Sequence, residues 1–272
     1  MRGFGKVIAL IVILFLIVVW ILPVYVMFSA SLKPLSEINS GNYLRPPTEL
    51  RTENWVMAFN TLKNSLKNSF LVSIPATLIT VFIGSWSGYA LAIFKFRWKS
   101  RLFFSIAIVT FLPYQIFLIP LTRLIVDMGL FNTFAGMILA YVILNTPMAI
   151  LTTSLFFQTI PKELYEASSL DGCTPTRFYF SILLPISLAG ITSAAVLTFT
   201  NVWNEFIIAL SLSRDPTTRL AIPTLAGLKG SYVAQWNMLM AGAAIVSIPG
   251  ILVLIFLGRF FIKGLTAGAL KE

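Results

Sequence analysis

The chain has 272 residues, of which 57% are hydrophobic and only 11% charged, less than half the roughly 25% of an average soluble domain. A soluble fold of this size needs far more polar surface to cover its core, so the composition describes an integral membrane protein. The formal charge of +10, from 20 Lys and Arg against 10 Asp and Glu, would suggest nucleic acid in a soluble protein; here it is read first as an orientation signal. With no His and one Cys, zinc clusters, disulfide frameworks and His-based catalysis are excluded. No G-x-x-x-x-G-K-[ST] loop offers a nucleotide-phosphate cradle.

Six long apolar stretches follow one another, near residues 7–28, 68–94, 103–122, 134–157, 186–212 and 239–262. At about 20 apolar residues per spanning helix, they predict an all-α membrane protein with six transmembrane helices. Pro23, Pro75, Pro113, Pro147 and Pro249 fall inside them, as kinks that neighbours or water can satisfy. Residues 1–31 are expected to form the first transmembrane helix. Ser29-Ala-Ser31 resembles a weak leader-cleavage site, but the apolar run before it is too long for a leader and argues for a retained span. Residues 32–66 form an extracytoplasmic loop, 67–262 a five-helix core containing the long inner loop 158–185, and 263–272 a cytoplasmic tail.

Basic residues set the orientation. With the N-terminus inside, the inner segments hold Arg2, Lys6, Lys95, Arg97, Lys99, Arg101, Lys162, Arg177, Arg259, Lys263 and Lys271. The short outer loops hold only Arg123, Arg214, Arg219 and Lys229. Both termini are therefore expected in the cytoplasm.

The inner loop reads Ile160-Pro-Lys-Glu-Leu-Tyr-Glu-Ala-Ser-Ser-Leu-Asp-Gly172. Pro161 suits a first helical position and Glu163 the first turn, where the helix dipole favours a carboxylate. Gly172 is placed to end the helix in a left-handed conformation. Leu164, Ala167, Ser168 and Asp171 share a face by spacing. Thr174 then serves as N-cap for a second helix with Pro175 at its first position. The result is a short helix, a glycine stop and another helix: either an interfacial loop returning the chain to the bilayer or a rigid knob for docking a cytosolic partner.

Inside the apolar stretches, Glu205 is the one acidic residue well within a span, in Thr200-Asn-Val-Trp-Asn-Glu-Phe206. Intramembrane carboxylates are costly and usually face the bundle interior or water. It reads as a pathway or gate residue with Asn201 and Asn204 on nearby faces, or as an outer-interface residue beside Trp203. Tyr114 and Gln115 next to Pro113, and Asn145 next to Pro147, could hydrogen-bond a hydroxylated solute or join neighbouring helices. Outside, Trp55, Phe59, Tyr232 and Trp236 offer aromatic contact surface or a membrane-interface belt.

Glu166-Ala-Ser-x-x-Asp-Gly172, followed after nine residues by Ile182-x-Leu184-Pro185, resembles the EAA loop of ABC importer permeases. Trp203-Asn-Glu-Phe206 and Gly264-Leu-Thr-Ala-Gly-Ala269 resemble the carbohydrate-uptake, maltose-type branch. Ser168 stands where the motif usually has a second Ala. The resemblance implies the type I ABC importer permease architecture, with the EAA loop as a coupling helix seated in an ATPase subunit. Glu166, Ala167, Ser168, Asp171 and Gly172 would be its coupling residues. It further implies a second, homologous permease, two ATPase subunits that bind ATP and Mg, and an extracytoplasmic solute-binding protein. No cofactor is expected on this chain, and besides membrane lipid no nucleic acid is among its expected partners.

Two other classes are weighed against this reading. An intramembrane protease lacks its His ligands or its paired membrane Asp, and a Ser nucleophile lacks a mid-span Lys base. An ion-coupled secondary transporter would have few acidic coupling groups and no use for the inner knob. A sugar or polyol is the expected solute, with glycerol phosphate as the non-sugar alternative.

Overall fold

The computed structural model describes residues 2–229 and 235–269, and every regular element among the described residues is helical. In chain order these are α1 (Arg2–Ser31), α2 (Leu35–Asn39), α3 (Glu53–Ile93), α4 (Lys99–Phe111), a 3-10 turn (Tyr114–Phe117) and α5 (Leu118–Asp127). There follow α6 (Phe134–Phe157), α7 (Lys162–Leu170), α8 (Pro175–Phe178), a π-helical turn (Tyr179–Leu183), α9 (Leu184–Ile186), α10 (Leu188–Asn204), α11 (Ile207–Leu212), α12 (Ala221–Gly227) and α13 (Trp236–Ala269).

Four helices, α1, α3, α6 and α13, are long and apolar enough to cross a membrane unbroken. Two bent pairs bring the candidate spans to six when each pair is counted as one: α4 meets the segment through α5 at 92°, and the segment ending in α9 meets α10 at 81°. The third apolar stretch is thus not one helix. Leu112 is extended in front of Pro113, as steric conflict with the proline ring demands, and the chain turns there. The fifth stretch is also interrupted, ending as helix at Asn204 and resuming at Ile207.

Two segments expected as loop and tail are helical. α3 begins at Glu53, so the end of the 32–66 loop is its first turns; at 41 residues it is about 60 Å long, twice the hydrocarbon core. Its polar start is helical because Asn54, Ala58, Leu62 and Ser65, all buried, repeat at helical spacing. α13 likewise runs on to Ala269, through most of the expected tail.

The chain divides into two compact units. One comprises residues 1–66 and 223–248. Its outer loop is organised around Lys33, a fully buried lysine whose ammonium donates to the carbonyls of Asn42 and Arg45 and lies 3.6 Å from Glu37. Glu37 accepts in turn from the Thr48 amide and hydroxyl at 3.3 and 3.0 Å. Trp55 stacks on Phe28, donates to the Ser31 hydroxyl and packs against Ala58, Met238 and Ala241. Trp55, expected as contact surface or as part of a membrane-interface belt, is thus half-buried in packing, whereas Phe59 is exposed. The Lys229 ammonium lies over the Trp236 ring; Tyr232 lies outside the described residues.

The other unit comprises residues 67–222 and 249–272. Its core joins Val72 and Ala76 of α3 to Leu121, Ile125, Met137, Ala140, Tyr141, Val202 and the buried face of α11. α3 and α6 approach closely at Gly84 and Gly88, a Gly-x-x-x-Gly pair of the kind that lets membrane helices meet backbone to backbone. A Cβ on Gly84 would lie 2.5 Å from that of Ala149, and one on Gly88 would collide with the Thr153 hydroxyl. Thr153 itself donates to the Gly84 carbonyl at 3.0 Å.

Candidate functional site

Both limbs of the bent third span, α6 and the end of α10 enclose a cavity of about 900 Å³. Its polar lining is Thr110, Tyr114, Tyr141, Asn145, Thr200, Asn201, Asn204 and Glu205, set among Pro113, Phe117, Leu121 and Pro147. Among the described residues no Lys or Arg lines it, and Glu205 is the one carboxylate. Five of the six residues expected along a solute path are therefore brought together. Gln115 is not: it is exposed and absent from the lining, because the turn after Pro113 directs Tyr114, and not its neighbour, inward.

Glu205 sits in the break between α10 and α11, not within a helix. Its Oε1 accepts from the amides of Ile207 and Ile208 at 2.7 and 3.0 Å, and its Oε2 from that of Ala209 at 3.0 Å. The Tyr114 hydroxyl donates to Oε1 at 3.2 Å and the Tyr141 hydroxyl to Oε2 at 3.1 Å. The carboxylate thus caps the first amides of α11, where a helix favours negative charge. It also ties α11 to the bent third span and to α6. Both oxygens are fully committed, which makes Glu205 an organiser of the cavity wall more than a free solute ligand.

The other polar groups keep bonding capacity. Asn145 and Asn204 each donate one N–H to the preceding helical turn, to Tyr141 O at 2.8 Å and Thr200 O at 2.9 Å. Their amide oxygens and second N–H groups remain. Asn201 is exposed on the wall. Thr200, which sequence reasoning passed over, lies at the cavity with a buried hydroxyl that finds no partner among the described residues. Tyr141 was also missed, since an apolar-run tyrosine carries no signal without knowledge of Glu205 across from it.

The inner loop forms a braced knob. α7 runs over Lys162–Leu170 with Pro161 as N-cap, one residue earlier than its expected position inside the helix. Gly172 takes φ +73°, which lets Cys173 N reach back to Ser168 O at 3.0 Å. The Thr174 hydroxyl accepts from Arg177 N, with Pro175 opening α8. Tyr165 and Phe178 meet edge to face at 5.1 Å and join Tyr89 and Phe94 from the end of α3 and Phe157 of α6. The Tyr179 hydroxyl bonds Ser85 at 2.6 Å, and Tyr89 donates to Pro175 O at 3.2 Å.

On this knob Glu166, Ala167, Asp171 and Gly172 are exposed. Ser168 is not: it is buried, its hydroxyl donating to Tyr165 O at 2.8 Å, because its side of α7 rests on the aromatic cluster. Leu170, not singled out in the sequence, is 90% exposed. The sign was a lone apolar residue off the expected face, directly before the Asp-Gly stop.

Apolar helices around a polar-lined cavity, with a braced knob between α6 and the fifth apolar stretch, have the make-up of a multi-pass membrane subunit. The sequence profile of the binding-protein-dependent transport system inner membrane component matches residues 80–267. The chain belongs to that family: it is a multi-pass permease, the non-catalytic inner-membrane component of a prokaryotic ABC importer that works with ATPase and solute-binding partners. It is 33% identical over 257 residues to the glucose import system permease protein of Saccharolobus solfataricus, covering 92% of this chain and 90% of that protein. With the trehalose transport system permease protein of Mycobacterium tuberculosis it shares 32% identity over 255 residues, 92% of each. Its fold matches a chain of a bacterial ABC transporter involved in the import of the acidic polysaccharide alginate. The TM-score is 0.79 at 18% identity, over 96% of this chain and 97% of that one.

Proposed function

We propose that this permease passes a neutral sugar or polyol inward through the cavity between the bent third span, α6 and α10. The observation that carries the reading is the cavity's chemistry: amides and hydroxyls without a basic residue, and one carboxylate whose oxygens are occupied. Such a lining offers donors and acceptors to hydroxyl groups but nothing to neutralise a phosphate, which favours a sugar over glycerol phosphate. Asn145, Asn201 and Asn204 are the solute-facing groups, with Tyr114 held by Glu205 as a wall. Kinship to permeases named for glucose and trehalose import supports the same class.

The knob acts as the coupling helix. Glu166, Ala167, Asp171 and Leu170 form the surface received by the ATPase, Gly172 sets the turn, and Ser168 fixes α7 to the body of the permease. The complex pairs this chain with a second, related permease and two ATPase subunits that bind ATP and Mg, and an external binding protein delivers the solute. The knob and both termini face the cytoplasm. Uptake of labelled glucose, trehalose and glycerol 3-phosphate by cells carrying the complete transporter tests the reading. Neutral-sugar uptake that falls at least about tenfold in Asn145→Ala/Asn204→Ala, with ATPase co-purification intact, is expected; a tenfold change corresponds to about 1.4 kcal/mol, one or two hydrogen bonds. Preferential uptake of the phosphate ester, or uptake driven by an ion gradient without ATP, would overturn it.

A further inference from the structure

The link between α3 and α4 reads Lys95-Phe-Arg-Trp-Lys-Ser-Arg101, and Lys162 opens α7 beside it. Lys95, Arg97, Arg101 and Lys162 are exposed, and none of these cations, nor Lys99, is ion-paired among the described residues. Lys99 is half-buried and fixed, its ammonium donating to Ala92 O at 3.1 Å in the last turn of α3. Phe94, directly before the basic run, meets Tyr165 of α7 edge to face at 5.9 Å, which brings the start of α7 with Lys162 to the same end of the fold as Lys95 and Lys99. Three ammonium groups thus share this end of the fold, none of them ion-paired to a carboxylate among the described residues, with Glu163 and Glu166 following on α7.

The surroundings say what kind of anion completes the cluster. Trp98 and Phe96 are 57% and 42% exposed between the basic residues, and the Arg101 guanidinium lies over the Trp98 ring at 4.7 Å. Tryptophan among basic residues is the composition of the membrane–water boundary. Directly beyond, α4 has no buried residue and presents Leu102, Phe104, Ile108 and Phe111 outward. Charge, aromatic ledge and apolar run therefore follow in the order of a phospholipid's headgroup, glycerol region and acyl chains. An acidic protein surface would match the charges but leave the apolar run of α4 uncovered.

We infer that Lys95, Lys99 and Lys162 form a headgroup site for an anionic phospholipid of the cytoplasmic leaflet, with its acyl chains lying along α4. Because Lys162 is the first residue of the coupling helix, the bound phosphate steadies the root of the knob. The site rests on the cytoplasmic placement of the knob proposed above.

The test is lipid retention by the complete transporter, read by native mass spectrometry after exchange into phosphatidylcholine and titration with phosphatidylglycerol. Lys95→Gln/Lys162→Gln changes two exposed side chains and leaves Lys99, which holds α3, in place. It should weaken phosphatidylglycerol retention about thirtyfold, at the usual contribution of a basic residue near an anionic surface. Lys95→Arg/Lys162→Arg should retain it, and raised salt should weaken it. Equal retention of the two lipids, or an unchanged double Gln variant, would overturn the site. So would protection of Lys95, which lies off the coupling helix, from acetylation by the ATPase alone, whatever the lipid. An impermeant amine reagent that reaches Lys162 only from outside would refute the leaflet and the knob's placement together, whereas lipid retention is read without any assumption about the transported solute.

Discussion

Replacing Glu205 with alanine removes five hydrogen bonds, three from the amides of Ile207, Ile208 and Ala209 and two from the hydroxyls of Tyr114 and Tyr141. Losing the cap of α11 costs about 1 kcal/mol. Tyr141 is fully buried, so its hydroxyl is left without a partner at a further cost of about 1–3 kcal/mol. Tyr114 and Ile207 are partly open and recover water, adding little. The sum, about 2–4 kcal/mol, lowers the melting temperature by roughly 5–12 °C for a chain of this size. Glu205→Gln keeps one acceptor oxygen, and the Tyr141 hydroxyl can turn to accept from its amide, so the loss should be only about 1 kcal/mol. Thermal unfolding of the purified complex, followed by tryptophan fluorescence beside uptake measurements, gives both readouts. If Glu205→Ala abolished uptake while leaving the melting temperature untouched, the carboxylate would be a solute ligand, and the capping account would fall.

Gly84→Ala places a Cβ 2.5 Å from that of Ala149; forcing α3 and α6 apart should cost about 1–3 kcal/mol, and an unchanged melting temperature would refute the close approach. Nothing lies within 4 Å of a Cβ at Gly172, so Gly172→Ala should cost only the backbone strain of φ +73°, about 1 kcal/mol. Gly172→Pro cannot adopt that angle and loses the bond to Ser169 O; it should abolish ATPase co-purification or coupling, and full-rate transport would sink the coupling assignment. Desolvation pushes the Glu37 carboxyl up, but the bonds from Thr48 and the Lys33 ammonium outweigh it and hold it below its usual range. A lowered folded-state pKa stabilises the loop above the unfolded value and loses that contribution as pH falls through the folded value. Hydrogen-exchange protection of the Thr48 amide should therefore fall as pH drops below the ordinary carboxylate range, and Glu37→Gln should remove that dependence.

What could be read from the residues alone was whatever is locally encoded. The knob's stop at Gly172 and restart at Thr174-Pro175 depend on backbone angles and caps that neighbouring residues dictate, and they appear as expected. The apolar runs likewise mark the spans. The breaks did not stand out, because a hydropathy window averages over them. Pro113 reads as a tolerable kink until Leu112 is seen extended before it. Glu205 reads as an intruder in a helix until its oxygens are seen to end one helix and begin another. Ser168 shares a face by spacing with Ala167 and Asp171, which are exposed, and only the packing of α7 on the aromatic cluster turns it in. The helical start of α3 was legible in the spacing of Asn54, Ala58 and Leu62, though its polarity suggested a loop.

The aromatic cluster under the knob also decides where the second unit of the chain can bend. Tyr165 and Phe178 share their packing with Tyr89 of α3 and Phe157 of α6, and those two helices are locked at Gly84 and Gly88. α7 is therefore braced against both of these helices. The sharp bends within that unit fall at two corners, Leu112–Pro113 and Ser187. The first of these corners is itself part of the cavity wall, so motion absorbed there reshapes the space in which a solute would sit.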